Sequence, residues 1–494
     1  MKFVRLIVLS VIFAPVLLSA QSGSGADTLQ LSLDDALKIG TENSPAANVV
    51  ERRLVANHWN YRSFKAGLYP SLRLDGSAPG IRREIDQIVQ DDGSIRYREL
   101  QQGNSEITAS IFQRLPWTNG QLFLSSSVER VDLYSGPSSN FWRVSPLFMQ
   151  LSQPIMEFNF FKWQKRIAPL EYEASKKQYL EDIADLETEI VGGFFDVYIA
   201  KTNVDIAEFN VSINDTIYTI SQGRFNVGNI AENELLQTEL ALMNARTNLE
   251  RARLAYNRAQ DDLRILLGIE EIRPIQVELP DRIPELSIDV QQAVDRAKNN
   301  RSDMLDYQIE RLRSQRNIAQ AEAESRLSTT LSARFGYNQT AETFEEAYNN
   351  PLDNQFVDVG FEIPIFRWGE GRAERQAAYA NHESILNSVK IQEETFVQEV
   401  EYQVREFLLI QQQIQASAKA DTIATRRFEV SKNRYLIGKI DITNLLIAQR
   451  EKDDERQNYI QDLKQYWQGF YNLQRITLYD YENDQPMEFT YRFK

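Results

Sequence analysis

The chain has 494 residues, room on length alone for two to four ordinary domains, and its 55 Lys and Arg against 70 Asp and Glu give a net charge of −15. So acidic a chain lacks the basic clusters that polyphosphate binding needs, so nucleic acid is excluded as a partner. There is no cysteine, which excludes disulfides, thiolate metal sites and lipid attachment through an N-terminal cysteine.

Lys2 and Arg5 precede the apolar run "LIVLSVIFAPVLLSA", which ends in small residues at Ser19 and Ala20 before polar "QSGSGAD". That layout predicts a secretory signal peptide over 1–20 and an exported mature chain, whose net charge falls to −17 once Lys2 and Arg5 are removed. Beyond it no apolar run approaches the length of about 18 residues that a membrane-crossing helix requires.

The next elements form a first structural repeat over 21–268. A helix is expected over 32–68, strands near 120–132 and 144–156, a long helix over 161–224 and a shorter one over 231–268. Between about 77 and 145 lies an insertion: 77–104 reads as a loop, and "ITASIFQRLPWTNGQLFLS" as a further strand or an elongated hairpin around its PWTNG turn. A proline-bearing linker, 269–285, leads to a second repeat over 286–478, and 479–494 is a tail. In the second repeat a helix is expected over 287–327, strands over 328–337 and 356–366, a long helix over 368–434 and a shorter one over 441–476.

The two halves align residue by residue. At an offset of 210, Arg224 matches Arg434, Gly228 Gly438, Ile230 Ile440, Leu235 Leu445, Arg246 Arg456 and Tyr256 Tyr466. Upstream the offset becomes 257, pairing Ala36 with Ala293, Asn43 with Asn300 and Leu74 with Leu331, and the difference of 47 residues is the insertion. Helices of 64–67 residues would span roughly 95–100 Å, and their mixed three- and four-residue apolar spacing (Ile183, Leu186, Ile190, Phe194, Val197) suits coiled-coil packing.

The strands alternate. Val357, Val359, Phe361 and Ile363 oppose Asp358, Gly360 and Glu362, and Leu147, Met149 and Leu151 oppose Phe148, Gln150 and Ser152. In an exported chain this is either a small soluble sheet or a barrel wall, apolar to lipid and polar to a lumen. Four strands cannot close a membrane barrel and lipid tolerates no open edge, so membrane strands would have to be shared among chains, and three chains would give twelve. No phosphate loop, metal-ligand spacing or nucleophile elbow appears, so neither cofactor nor catalysis is expected. His58 and His382 lie in helix-like sequence and read as packing residues.

With its duplicated order of helix, strand pair, long helix, glycine turn and short helix, the chain resembles the TolC-type outer-membrane efflux protein (outer membrane factor) family. The local resemblance rests on "TENSPA" (41–46), "LYPSLRL" (68–74), "LSQPI" (151–155), "EIPIFRWGEGRAERQAAY" (362–379) and the two glycine turns. It implies a mainly α chain with a β-barrel part. Three copies would share a twelve-stranded barrel in outer-membrane lipid, four strands per chain, continued by a twelve-helix periplasmic tunnel of long coiled-coil helices. Such a homotrimer is a passive exit duct of a tripartite efflux or type I secretion system, served by a periplasmic adaptor protein and an inner-membrane pump of RND or ABC type. The alternative from the same elements is a soluble periplasmic scaffold or adaptor.

The resemblance also assigns sites. Val227, Gly228 and Asn229, with Ile437, Gly438 and Lys439, correspond to tip residues that dock the adaptor. Glycine suits these reversals because it tolerates φ > 0, after which Asp441 or Thr443, and Asn229 or Asn233, would cap the following helix. The acidic pair of some relatives falls on Asn444 and Ile447 here, so entrance acidity would rest on Glu232, Glu234 and Asp441 beside Asn444.

Overall fold

The computed structural model describes residues 28–135, 139–280, 282–491 and 493, so the expected signal peptide lies outside the described residues. A short strand, β1 (Leu29–Ser32), runs into α1 (Leu33–Asn43), where Ser32 and Asp35 form a capping box. Buried Ser44 is extended, and its hydroxyl accepts from the Ala47 amide to start α2 (Pro45–Ala66) with proline in the first turn. The stretch 32–68 is thus two helices rather than the single one expected. Four strands follow, β2 (Ser71–Val89), β3 (Ile95–Leu115), β4 (Gly120–Leu133) and β5 (Ser139–Pro154). The long helix α3 (Phe160–Asn226) and the shorter α4 (Glu232–Leu267) complete the first half.

The second half repeats the plan. After β6 (Ile275–Glu278) come α5 (Val290–Asn300) and α6 (Asp303–Glu324), again two helices where one was expected over 287–327. The break here comes from a neighbour: Glu181 of α3 accepts from the Ser302 amide at 2.7 Å and from Arg301 at 3.3 Å, which satisfies the start of α6. Strands β7 (Ser328–Ala341) and β8 (Leu352–Glu362), long α7 (Glu370–Leu436), α8 (Ile442–Thr477) and the small pair β9 (Tyr479–Asp480) and β10 (Gln485–Pro486) follow.

The helices form four columns. α3 and α7 have 67 residues each, about 100 Å. α4 ends at Gly268, whose φ of +71° places it against Asn43 and Ser44, so α4 and α2 stack end to end. α8 meets the α5–α6 joint in the same way, where Asn300 donates to the Thr477 carbonyl at 3.0 Å. A girdle binds the columns near mid-length: β1 pairs in parallel with β6, and Ile190, Phe194, Phe407, Trp467 and Phe470 pack beneath.

The sheet has six strands in the order β2-β3-β4-β5-β7-β8, all neighbours antiparallel. This corrects the expectation of four strands per chain and of a loop over 77–104. That segment is most of the β2–β3 hairpin, which turns at the Gly93 left-handed position. Its outer half carries charge on both faces, such as Arg82, Arg83, Glu84 and Glu99, which erases the alternation that marks a half-buried strand.

Candidate functional site

Two ends of the chain carry the functional features. At one end the register of the sheet sorts side chains into two faces. One face carries Leu72 and Leu74 on β2, Ile107 and Ile111 on β3, and Leu122, Leu124 and Val128 on β4. It continues through Leu147, Met149 and Leu151 on β5, then Leu331 and Phe335 on β7, and Val357 and Val359 on β8. The other face carries Arg73, Asp75, Ser110, Ser125, Gln150, Ser152, Ser332, Arg334 and Asp358, with Phe112, Phe123, Phe148 and Phe356 among them. Leu72, Leu74, Val357 and Val359 are exposed, a wasteful arrangement in water and the normal one against lipid. Aromatic residues flank this band on both sides. Tyr69, Trp117, Phe160, Phe366 and Trp368 are exposed where the strands meet the helices, and Trp142, Phe344 and Tyr348 cluster at the far rim with centroids 5.2–5.3 Å apart.

At the other end, 67 residues away along α3 and α7, the chain reverses twice. Gly228 (φ +78°) and Gly438 (φ +73°) have open space where a Cβ would stand, so backbone conformation alone demands glycine. Each reversal is a Schellman turn: Gly228 donates to the Phe225 carbonyl and Asn229 to that of Arg224, and Gly438 donates to Tyr435 and Lys439 to Arg434. Val227 and Ile437, the residues just before the glycines, are 71% and 66% exposed, so each tip presents a bare apolar side chain.

Helix restarts differ between the tips. Asp441 caps α8, accepting from the Asn444 amide at 2.8 Å, and the Asn444 side chain donates back to the same carboxylate. Thr443 therefore is not the cap. In the first half Ala231 occupies the cap position and no side chain caps α4, so neither Asn229 nor Asn233 does the expected work. Of the expected entrance residues, Asp441 and Asn444 are engaged with each other, while Glu232 and Glu234 lie in the first turn of α4.

The tips also hold each other, a feature that sequence reasoning missed. Tyr435 is fully buried among Ile217, Phe428, Ile442 and Leu445, and its hydroxyl meets the Ser221 hydroxyl at 2.9 Å. Arg224 stacks 5.2 Å from the Tyr435 ring and donates to the Leu436 and Tyr435 carbonyls at 2.9 and 3.2 Å. Arg224 thereby supplies a donor to the Leu436 carbonyl at the end of α7 and a further one to the Tyr435 carbonyl, which already accepts from Gly438. Arg224 matches Arg434 in the repeat, but the repeat does not say that only the first reaches across.

No cluster able to hold a metal ion occurs among the described residues. His58 bonds to the Tyr172 hydroxyl at 2.7 Å and stacks on Phe493, and His382 bonds to Ser314 at 2.8 Å, so both serve packing between helices.

The model of the family described as "Outer membrane efflux protein" matches residues 41–269 and 293–477. The chain belongs to the outer membrane efflux protein family. No curated protein matches it by sequence. Three solved structures show the same fold at low identity. A membrane protein from Pseudomonas aeruginosa is 16% identical with a TM-score of 0.64, over 95% of this chain and 96% of that one. The Campylobacter jejuni CmeC outer membrane channel is 15% identical with a TM-score of 0.65, over 92% and 87%. The Neisseria gonorrhoeae MtrE outer membrane channel, in its open state, is 14% identical with a TM-score of 0.61, over 90% and 88%. This outer membrane efflux protein is thus mainly α with a β-barrel part. Its sheet lies in the outer membrane, and its helices extend into the periplasm as the stem of an efflux channel.

Proposed function

We propose that three copies of this chain form one passive duct, the sheets closing a common barrel and the helical columns a common tunnel. One observation carries the reading: a sheet sorted into lipid and lumen faces is fused to helices of about 100 Å that end in bare, reversed tips. An open sheet cannot stand in lipid, so the edges of each chain must meet other copies. A periplasmic adaptor would supply the link by packing against Val227-Gly228-Asn229 and Ile437-Gly438-Lys439, and an inner-membrane pump, of RND or ABC type, the energy. Glu232 and Glu234 would lend the mouth its acidity, with Asp441 and Asn444 serving chiefly as a helix cap.

The test is a pair of charge substitutions, Val227→Asp and Ile437→Asp, read by adaptor cross-linking and by cellular efflux. Both signals should fall at least tenfold while outer-membrane yield and particle mass stay unchanged. Unaltered cross-linking would place the docking elsewhere, and a wild-type particle found soluble in the periplasm would return the scaffold reading.

A further inference from the structure

Resting on the trimer above, we propose that the shared barrel has eighteen strands, β2 of each chain pairing with β8 of the next. The sheet itself leaves β2 and β8 as its only edges. β4 bonds to β3 from Leu115–Gly120 up to Gln102–Leu133 and to β5 on its other side, so it has no edge left to offer a second chain. A twelve-stranded closure would have to strip that ladder away and expel β2 and β3.

The chemistry of β2 and β3 is that of wall strands. Leu72, Leu74, Ile107 and Ile111 continue the lipid face, and Arg73, Asp75, Thr108 and Ser110 continue the lumen face, where Phe112 and Phe123 pair at the base. The polarity of the edges fits as well: β2 leads away from the helices and β8 leads back, so their junction is antiparallel like every other in the sheet.

The register predicts the tilt. Partners followed across the sheet from Ser71, the base of β2, run through Phe112, Phe123, Gln150 and Arg334 to Phe356. That is six residues short of Glu362, where β8 ends at the same helical side. Bringing the two bases level therefore staggers the ladder by about one residue per strand. With a rise of about 3.3 Å and a strand spacing of about 4.8 Å, this gives a tilt near 35°, inside the range of membrane barrels. The same closure sets Leu72 beside Phe361 on the lipid face and Arg73 beside Gly360 on the lumen face, so apolar meets apolar across the seam.

Width supplies the last argument. Eighteen strands at that spacing and tilt make a barrel about 34 Å across, whereas twelve make one of about 22 Å. Twelve helical columns packed 8–10 Å apart make a ring of roughly 31–38 Å. At the tilt that this register sets, the eighteen-stranded barrel continues the tunnel at its own width, and its exit would be as wide as its stem. Beyond the rim, past the bonds of Gln101 to Tyr134 and Ser135, the rest of β3 pairs with β2 alone among the described residues.

The chain has no cysteine, so introduced pairs report cleanly. Arg73→Cys combined in turn with Asp358→Cys, Gly360→Cys or Glu362→Cys should give disulfide-linked trimers under mild oxidation in outer membranes. Gln121→Cys, at the base of β4, with the same partners should not. Linkage through position 121 without linkage through position 73 would overturn the eighteen-stranded closure while leaving the trimeric duct intact. A native particle mass of one chain would sink the trimer and the closure together. Imaging of the unaltered particle counts the strands directly, and twelve in the membrane section would refute the proposal whatever the variants do.

Discussion

Tyr435 offers the sharpest test of how the two tips are joined. Its ring is fully buried between the two helical hairpins, and its hydroxyl is the partner of the equally buried Ser221 hydroxyl. Tyr435→Phe keeps the ring and strands the serine, at about 1–2 kcal/mol. Tyr435→Ala also empties the pocket formed by Ile217, Phe428, Ile442 and Leu445, raising the cost to about 3–5 kcal/mol. The tip is a small cluster far from the equatorial core, so this loss should appear as local opening rather than global unfolding. Hydrogen exchange by mass spectrometry reads it. Peptides covering 213–224 and 428–446 should lose protection about 5- to 30-fold in the Phe variant, and more than 100-fold in the Ala variant. Peptides around Phe407 and Phe470 should not change. Equal loss at the equator, or no loss at the tips, would refute the view that this cluster latches the hairpins independently of the core.

Three further outcomes follow from particular contacts. Burial, reinforced by the negative charge of Asp480, pushes the Glu187 carboxyl up to about 7 from its ordinary value of 4.5. Its folded form therefore favours the proton. The wild type should lose stability relative to Glu187→Gln as pH rises from 5 to 8, by at most about 3 kcal/mol, and denaturation midpoints at the two pH values would show it. Asp441→Ala should cost about 1 kcal/mol in the first turn of α8, whereas Ala231→Asp, at the matching place in the first repeat, should gain a similar amount for α4, both read as local amide protection. Gly336→Ala should reduce the yield of assembled particle in outer-membrane extracts, because its Cβ would lie 2.7 Å from the Leu147 carbonyl, a backbone atom that cannot move aside. Normal yield would show that the β5–β7 seam is looser than its register implies.

What could be read from sequence divides along the range of the interaction responsible. The long helices, the glycine reversals and the alternation in β4, β5, β7 and β8 are written in residues close together, and each was legible. The Ser44–Pro45 break is also local, a serine cap and first-turn proline inside "TENSPA", but helix-forming sequence on both sides of it reads as one continuous helix. The matching break at Arg301–Ser302 could not be read, because the carboxylate that makes it comes from Glu181, 121 positions earlier. Arg224 is the same case at the tip: the residue was matched in the repeat, yet its partners lie more than 200 positions away.

The β2–β3 hairpin failed for a different reason, and the reason bears on the channel. A strand is legible by alternation only where its two faces meet different surroundings. Leu72, Leu74, Ile107 and Ile111 alternate because lipid lies on one side there, and those short runs were the available signal. Past Gly80, Arg82, Arg83, Glu84 and Glu99 place charge on both faces, the pattern of a ribbon with water on either side. The point where the alternation stops is therefore where the wall leaves the membrane. The register puts that point level with the upper ends of β4 and β5, since Gln102 is the last residue of β3 to pair with β4, at Leu133. Sequence pattern and ladder thus locate one rim independently, and a charge-to-apolar change above it, such as Arg83→Leu, should be tolerated in the outer membrane. Leu74→Arg or Ile111→Arg, below it on the lipid face, should cost about 2–4 kcal/mol and with it most of the assembled particle.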